Sequence, residues 1–155
     1  MQSLLQYEDP RDEGGPPQEI VNVIVLYDDI TAGKRALAAV NRITDKRRDI
    51  ELHPKLWRFD LLNQDSGYAA AMDDCLGADI IFISTSGRTL VPPILRTWLG
   101  TALGRENHPV TVVFVGGEEE LSETTLHNMR LIQELVEENG IDFFSPLIEP
   151  CIQRS

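Results

Sequence analysis

A three-layer α/β fold, in which a doubly wound parallel sheet of five strands is sandwiched between helices, is predicted by three observations. Apolar runs of strand length alternate with segments of helical period from Ile20 onward. The runs "IVNVIVLY", "ADIIFIS" and "PVTVVFV" are apolar on both faces, as parallel strands covered by helices on both sides must be. Pro54, inside the alternating stretch "IELHPKLWRF", removes a ladder donor and so puts the second strand at an edge. With that strand outermost, the order 2-1-3-4-5 follows.

The elements justify themselves in order. Residues 1–19 join Gly14, Gly15, Pro16 and Pro17 to acidic residues, a composition expected to stay a flexible acidic tail, with a single α/β domain over 20–155. The first strand, "IVNVIVLY", leads into a helix whose Ala36, Leu37, Val40 and Ile43 recur at helical spacing. "DKRR" at 45–48 falls at the end of that helix, where its macrodipole accounts for positive charge. After the edge strand at 50–59, Tyr68, Ala71, Met72 and Cys75 mark a second helix, with Asp65 and Ser66 as capping candidates and Gly77 expected to close it left-handed.

The third strand, "ADIIFIS", precedes "TLVPPILRTWLGTALG", a helix with its prolines in the first turn and Val91, Ile94, Leu95, Trp98, Leu99 and Ala102 as its stripe. "PVTVVFV" is the fourth strand. "LSETTLHNMRLIQELVEENG" is the fourth helix, with Leu121, Met129, Ile132, Leu135 and Val136 inward, and "IDFFSP" is the fifth strand.

Composition narrows the function. The chain of 155 residues carries a net charge of −11, and a nucleic-acid partner would need a concentrated basic surface instead. No apolar run approaches the ~20 residues that cross a bilayer, and the N-terminus has neither the basic start nor the apolar core of a signal peptide. A cytoplasmic protein without nucleic-acid or membrane partners is expected. Cys75 and Cys151 stand apart with no CxxC pair, which argues against a zinc site or disulfide framework. His53, His108 and His127 fall on separate elements and receive no role.

In such a sheet, ligands bind beyond the carboxyl ends of the strands, at the switch point between the first and third. The loops there are "DDITAG" and "STSGRT", with "GGEEE" beside them, so Asp28, Asp29, Thr31, Ser84, Thr85, Ser86, Gly87, Arg88, Gly116 and Gly117 are the candidate ligand-binding residues. Asp28 and Asp29 suit either a divalent cation such as Mg²⁺ or a helix cap, and capping is the favoured reading. "TSGRT" offers an anion cradle or a tight turn capped by Thr89, and Arg88 is placed to neutralise the aspartates across the gap. Glu118 to Glu120 suit the positive end of the fourth helix, and Trp57 and Phe59 suit packing at the sheet rim.

Over residues 20–147 the chain resembles the receiver domain of response regulators, in the acidic pair closing the first strand and in "ADIIFIS", "PVTVVFV" and "NGIDFFSP". The resemblance implies an Mg²⁺ site at the paired acids and a phosphate acceptor ending the third strand. Here that position is Ser84, the fourth strand ends in Val115 or Gly116, and Ser145 stands before Pro146, so a phosphoaspartate cycle is not expected. "VLYDDITAGK" and "ADIIFISTSGRTLVPPILRTWL" also resemble the flavodoxin family and its reductase relatives, which implies a flavodoxin-like fold. FMN is not expected, because two carboxylates in the phosphate loop would repel its phosphate.

Both families close the fold with a fifth helix beside the first, whereas only "LIEPCIQRS" follows the fifth strand here. Without that helix, Ile, Val and Phe side chains of the third to fifth strands would face water over several hundred Å². Cover by residues 1–19, through Leu4, Leu5 and Tyr7, is one outcome; association with another protein or a second copy, as a homodimer, is the favoured one. The expected function is a non-catalytic interaction module in signalling or regulation, and the alternative is a small-molecule site for a nucleotide or anion at the switch point.

Overall fold

The computed structural model describes residues 19–105, 109–116 and 122–145. β1 (Glu19–Tyr27) is followed by α1 (Ile30–Lys46), β2 (Ile50–Arg58), a 3-10 helix (Phe59–Asn63) and α2 (Asp65–Leu76). Then come β3 (Ile80–Ser84), α3 (Pro93–Arg105), β4 (Thr111–Val115), α4 (Glu123–Glu138) and β5 (Asp142–Phe144). All strand pairs are parallel and the order is β2-β1-β3-β4-β5, the doubly wound arrangement that Pro54 implied. Pro54 sits opposite Val23 on the edge strand, where its missing N–H deprives no further strand.

Several local expectations are corrected. Glu19 is the first residue of β1, paired with Ile50, rather than the last of a tail; residues 1–18 lie outside the described residues. β2 ends at Arg58, and Phe59 opens the 3-10 helix instead. α2 starts from Gln64 without a side-chain cap, because the 3-10 turn runs directly into it and the Gln64 carbonyl accepts from Tyr68 N. Gly77 has φ −100°, so no left-handed residue ends α2; that geometry belongs to Gly140, at φ 69° after α4. Gly67 is needed for space, since a Cβ there would lie 2.1 Å from the Leu61 carbonyl oxygen.

α3 begins at Pro93 and not in the "TLVP" segment, since Pro92 and Pro93 each disfavour helical backbone in the residue before them. Thr89 therefore caps nothing; its carbonyl accepts from Asn128 Nδ2. Leu121, Glu118 to Glu120, His108, Pro146 and Cys151 lie outside the described residues.

Each face of the sheet has its own core. On one side Ile24, Leu26, Ile81, Ile83, Val112 and Phe114 pack against Met72 of α2, Trp98 of α3 and Ile132 of α4. On the other, Val23, Val25, Phe82 and Val115 meet Ala36 and Val40, and among the described residues only α1 supplies helical cover. The bare face is less open than the sequence suggests, because Phe82 and Val115 are buried while Phe144, at the edge, remains 40 % exposed. Phe143 points the other way and packs on the first core. No described helix is long and apolar enough to cross a membrane.

Candidate functional site

The carboxyl ends of β1 and β3 bring the two predicted loops together, and there the residues mostly satisfy one another. Asp29 is the N-cap of α1: its backbone is extended and its Oδ1 accepts from Ala32 N at 2.9 Å. The capping reading of this residue holds. Asp28 crosses to the β3 loop, where Ser86 N donates to both carboxylate oxygens at 3.0 and 2.8 Å and Ser86 Oγ donates to Oδ2 at 2.9 Å. A carboxylate receiving an amide and a hydroxyl at these distances makes strong, charge-assisted bonds.

The expected partner of Asp28 was Arg88, and the structure substitutes Ser86. Gly87 adopts φ 85°, a conformation that favours glycine, and beyond it the Arg88 side chain is exposed and joins neither aspartate. Arg88 contributes its backbone N–H, which donates to Ser86 Oγ at 3.2 Å. The hydroxyl of Ser86 thus accepts from one loop position while donating to Asp28, and the turn is locked around it.

Ser84, where the receiver resemblance puts the phosphate acceptor, is fully buried and its Oγ donates to the Ala32 carbonyl at 2.7 Å. Its hydroxyl ties β3 to α1 and faces no solvent. Thr85 is buried beside it, with its N–H on the Val115 carbonyl at 3.0 Å and its hydroxyl without a partner in the described structure. Thr31 is exposed in the first turn of α1. Gly116 presents its carbonyl to Arg35, and Gly117 lies outside the described residues.

Two residues that sequence patterns passed over hold this end of the sheet. Arg35 reaches from α1 to donate through Nη1 to the carbonyls of Thr85 and Gly116, each at 3.2 Å, bridging the ends of β3 and β4. Asn128, buried in α4, accepts from Val91 N at 2.9 Å and donates to the Thr89 carbonyl at 3.0 Å, clamping the segment between β3 and α3. Neither belongs to a motif; Arg35 falls off the apolar stripe of α1, and a lone Asn inside an amphipathic helix gives no signal of what it will meet.

The arrangement can be tested against the groups that the resemblances imply. A Mg²⁺ site needs free carboxylate oxygens converging on one point, and here Asp28 is taken up by Ser86, Asp29 by the helix end, and the third position is a buried hydroxyl. The residues do not fit that ion. Among the described residues no three His, Cys, Asp or Glu side chains gather into a set of metal ligands. An FMN phosphate would meet a carboxylate already occupying the α1 N-terminus, so that group does not fit either.

Away from this end, Trp57 serves the packing expected at the rim, with Nε1 donating to Asp74 Oδ2 at 2.8 Å, and Phe59 is buried. Arg47, just past α1, forms a two-point pair with Asp49 at 2.9 and 2.8 Å, and Arg58 pairs with Asp60 at 2.8 Å. The hydrogen bond from each arginine holds the carboxyl of its aspartate below the ordinary range. His53 sits 2.7 Å from Glu51, and Cys75 is buried.

No protein-family model matches the chain, and no curated protein sequence matches it. Solved structures do resemble it. The capsular polysaccharide assembling protein CapF of Staphylococcus aureus is 15% identical over 81% of this chain, with TM-score 0.49. A flavodoxin of Streptococcus pneumoniae TIGR4 is 17% identical, also over 81% of this chain and 83% of its own, with TM-score 0.48. A periplasmic ribose ABC transporter structure from Conexibacter woesei is 13% identical over 85% of this chain and 55% of its own, with TM-score 0.42. The chain spans 33% of the length of CapF. The likeness is one of fold. That fold is flavodoxin-like by its own parallel sheet and strand order.

Proposed function

We propose that this chain is a non-catalytic, receiver-like interaction module of cytoplasmic signalling or regulation, whose output is protein binding. The observation that carries the reading is the Asp28 to Ser86 contact: the acid best placed to hold a metal or ligand at the switch point is spent on closing it. With Ser84 buried on Ala32, the chemistry of a phosphoaspartate cycle has no acceptor and no metal cradle. What the fold offers instead is the α1 side of the sheet, where Phe144 remains open to a protein partner. The direct test is incubation with acetyl phosphate and Mg²⁺ followed by intact-mass measurement. No added phosphate is expected; one acid-labile phosphate at Asp28 or Asp29 would contradict the reading.

A further inference from the structure

Beside α1 the sheet leaves a groove of about 410 Å³ with an apolar floor of Phe82, Val113 and Phe144 and a wall formed by Ile43, Arg42 and Lys46. The cations of this wall stand on a chain of net charge −11, and neither makes an ion pair among the described residues. An apolar floor under unpaired positive charge fits an occupant with apolar side chains and flanking acids.

The chain carries such a segment, and it joins the fold close to the C-terminal end of α1. α1 ends at Lys46, next to the groove, and Glu19 N donates to the Asp49 carbonyl at 3.0 Å just beyond it. Upstream of β1 lie Leu4, Leu5 and Tyr7, then Glu8, Asp9, Asp12 and Glu13 with a single Arg11 among them. Residues 14–18, extended at ~3.3 Å each, span about 16 Å, whereas the groove wall from Ala39 to Lys46 rises about 10 Å along the helix. From β1 to β4 is two strand spacings, about 10 Å, so the tether reaches the foot of the wall and residues 1–13 can lie along it.

We propose that residues 1–13 of this chain occupy the groove, with Leu4, Leu5 and Tyr7 on its floor and the acids against Arg42 and Lys46. The inference rests on the reading of this face as the interaction surface, and it makes the segment a built-in competitor that a protein partner must displace. A short tether holds such a segment at an effective concentration on the order of millimolar, so even a weak intrinsic contact keeps the groove filled. The other occupants fit less well. A second copy paired groove to groove across a two-fold axis would bring Arg42 and Lys46 towards the same cations of its partner. The side chains of residues 146–155, with Glu149 against Arg154, bring no net acidity to the wall.

Hydrogen exchange read by mass spectrometry on the full chain tests this. The amides of residues 3–13 should exchange at least ~10-fold more slowly than in a free peptide of the same sequence. Arg42→Glu with Lys46→Glu should return them to the free-peptide rate, and adding Glu8→Lys with Asp9→Lys to that variant should restore the protection. Unchanged exchange in β1 and β3 certifies that each variant is folded. Free-peptide exchange in the unaltered chain overturns the proposal, as does protection that survives the double charge reversal. Protection that fades on dilution, with a doubled mass by light scattering, gives the groove to a second copy and also overturns it. None of these failures touches the interaction-module reading, which falls separately if acetyl phosphate labels Asp28 or Asp29.

Discussion

The two faces of this sheet are covered to different degrees, and the difference shows how unevenly one fold can be packed. One face is sealed by α2, α3 and α4, with Trp98 wholly buried and its indole N–H on the Tyr68 carbonyl at 3.2 Å. The other has α1 alone among the described residues, with a groove alongside that ends at the half-open Phe144. Parallel sheets need helices on both sides because their strands are apolar on both sides. A face that stops short of this leaves an apolar side chain, here Phe144, partly in water. The usual ligand position of the fold, at the strand ends, is meanwhile filled by contacts between Asp28, Ser86 and the start of α1.

The contrast can be broken most forcefully at the sealed face. Trp98→Ala should cost about 3–5 kcal/mol, the range for a large aromatic removed from a packed core. Chemical denaturation measures it, and a loss below about 1 kcal/mol would mean that this face is not the rigid half of the molecule. At the strand ends, Asp28→Ala should cost about 1–3 kcal/mol, since it strips a charge-assisted acceptor from the Ser86 amide and hydroxyl. If stability is unchanged, the closed switch point is incidental rather than a built lock.

At the open face the expectation is the opposite. Phe144→Asp should cost no more than about 1.5 kcal/mol, the scale of a tenfold docking equilibrium and well below the loss at Trp98, since the residue lies in the groove that we assign to binding. A core-sized loss would show that Phe144 is as structural as Trp98. The smallest effect belongs to Asp49 and Asp60, whose carboxyls are held below their ordinary range by Arg47 and Arg58. A depressed carboxyl adds stability above its unfolded value, and that contribution is lost as pH falls through the folded one. Asp49→Asn and Asp60→Asn should therefore lower the thermal midpoint slightly at neutral pH and not at all in strong acid. Because both pairs are fully exposed, the neutral-pH effect is close to the limit of detection.

Much of the fold was legible because its signals are local. Two-sided apolar runs identify parallel strands, and one proline places the edge. The loops at the strand ends follow from topology, and Asp29 as a cap follows from its place before a helix. What was not legible depends on geometry between distant residues. Whether Ser86 or Arg88 meets Asp28 is decided by a positive φ at Gly87 between them, and nothing in "TSGRT" says which side chain the turn will aim inward. Asn128 lies 37 residues from the Val91 amide it holds, and Arg35 lies 81 from the Gly116 carbonyl it binds. The start of α3 was misplaced for a local reason: paired prolines fit a first turn, yet they also bar the residues before them from the helix.

The central claim is that the chain itself fills the place where this fold would hold a ligand. Isothermal titration of the purified full chain with FMN, accompanied by its absorbance spectrum, tests that claim most directly. The account predicts a colourless preparation and no saturable heat at micromolar FMN, because the Asp29 carboxylate occupies the helix end that the phosphate would need. A yellow preparation, or a stoichiometric heat with micromolar affinity, would contradict it.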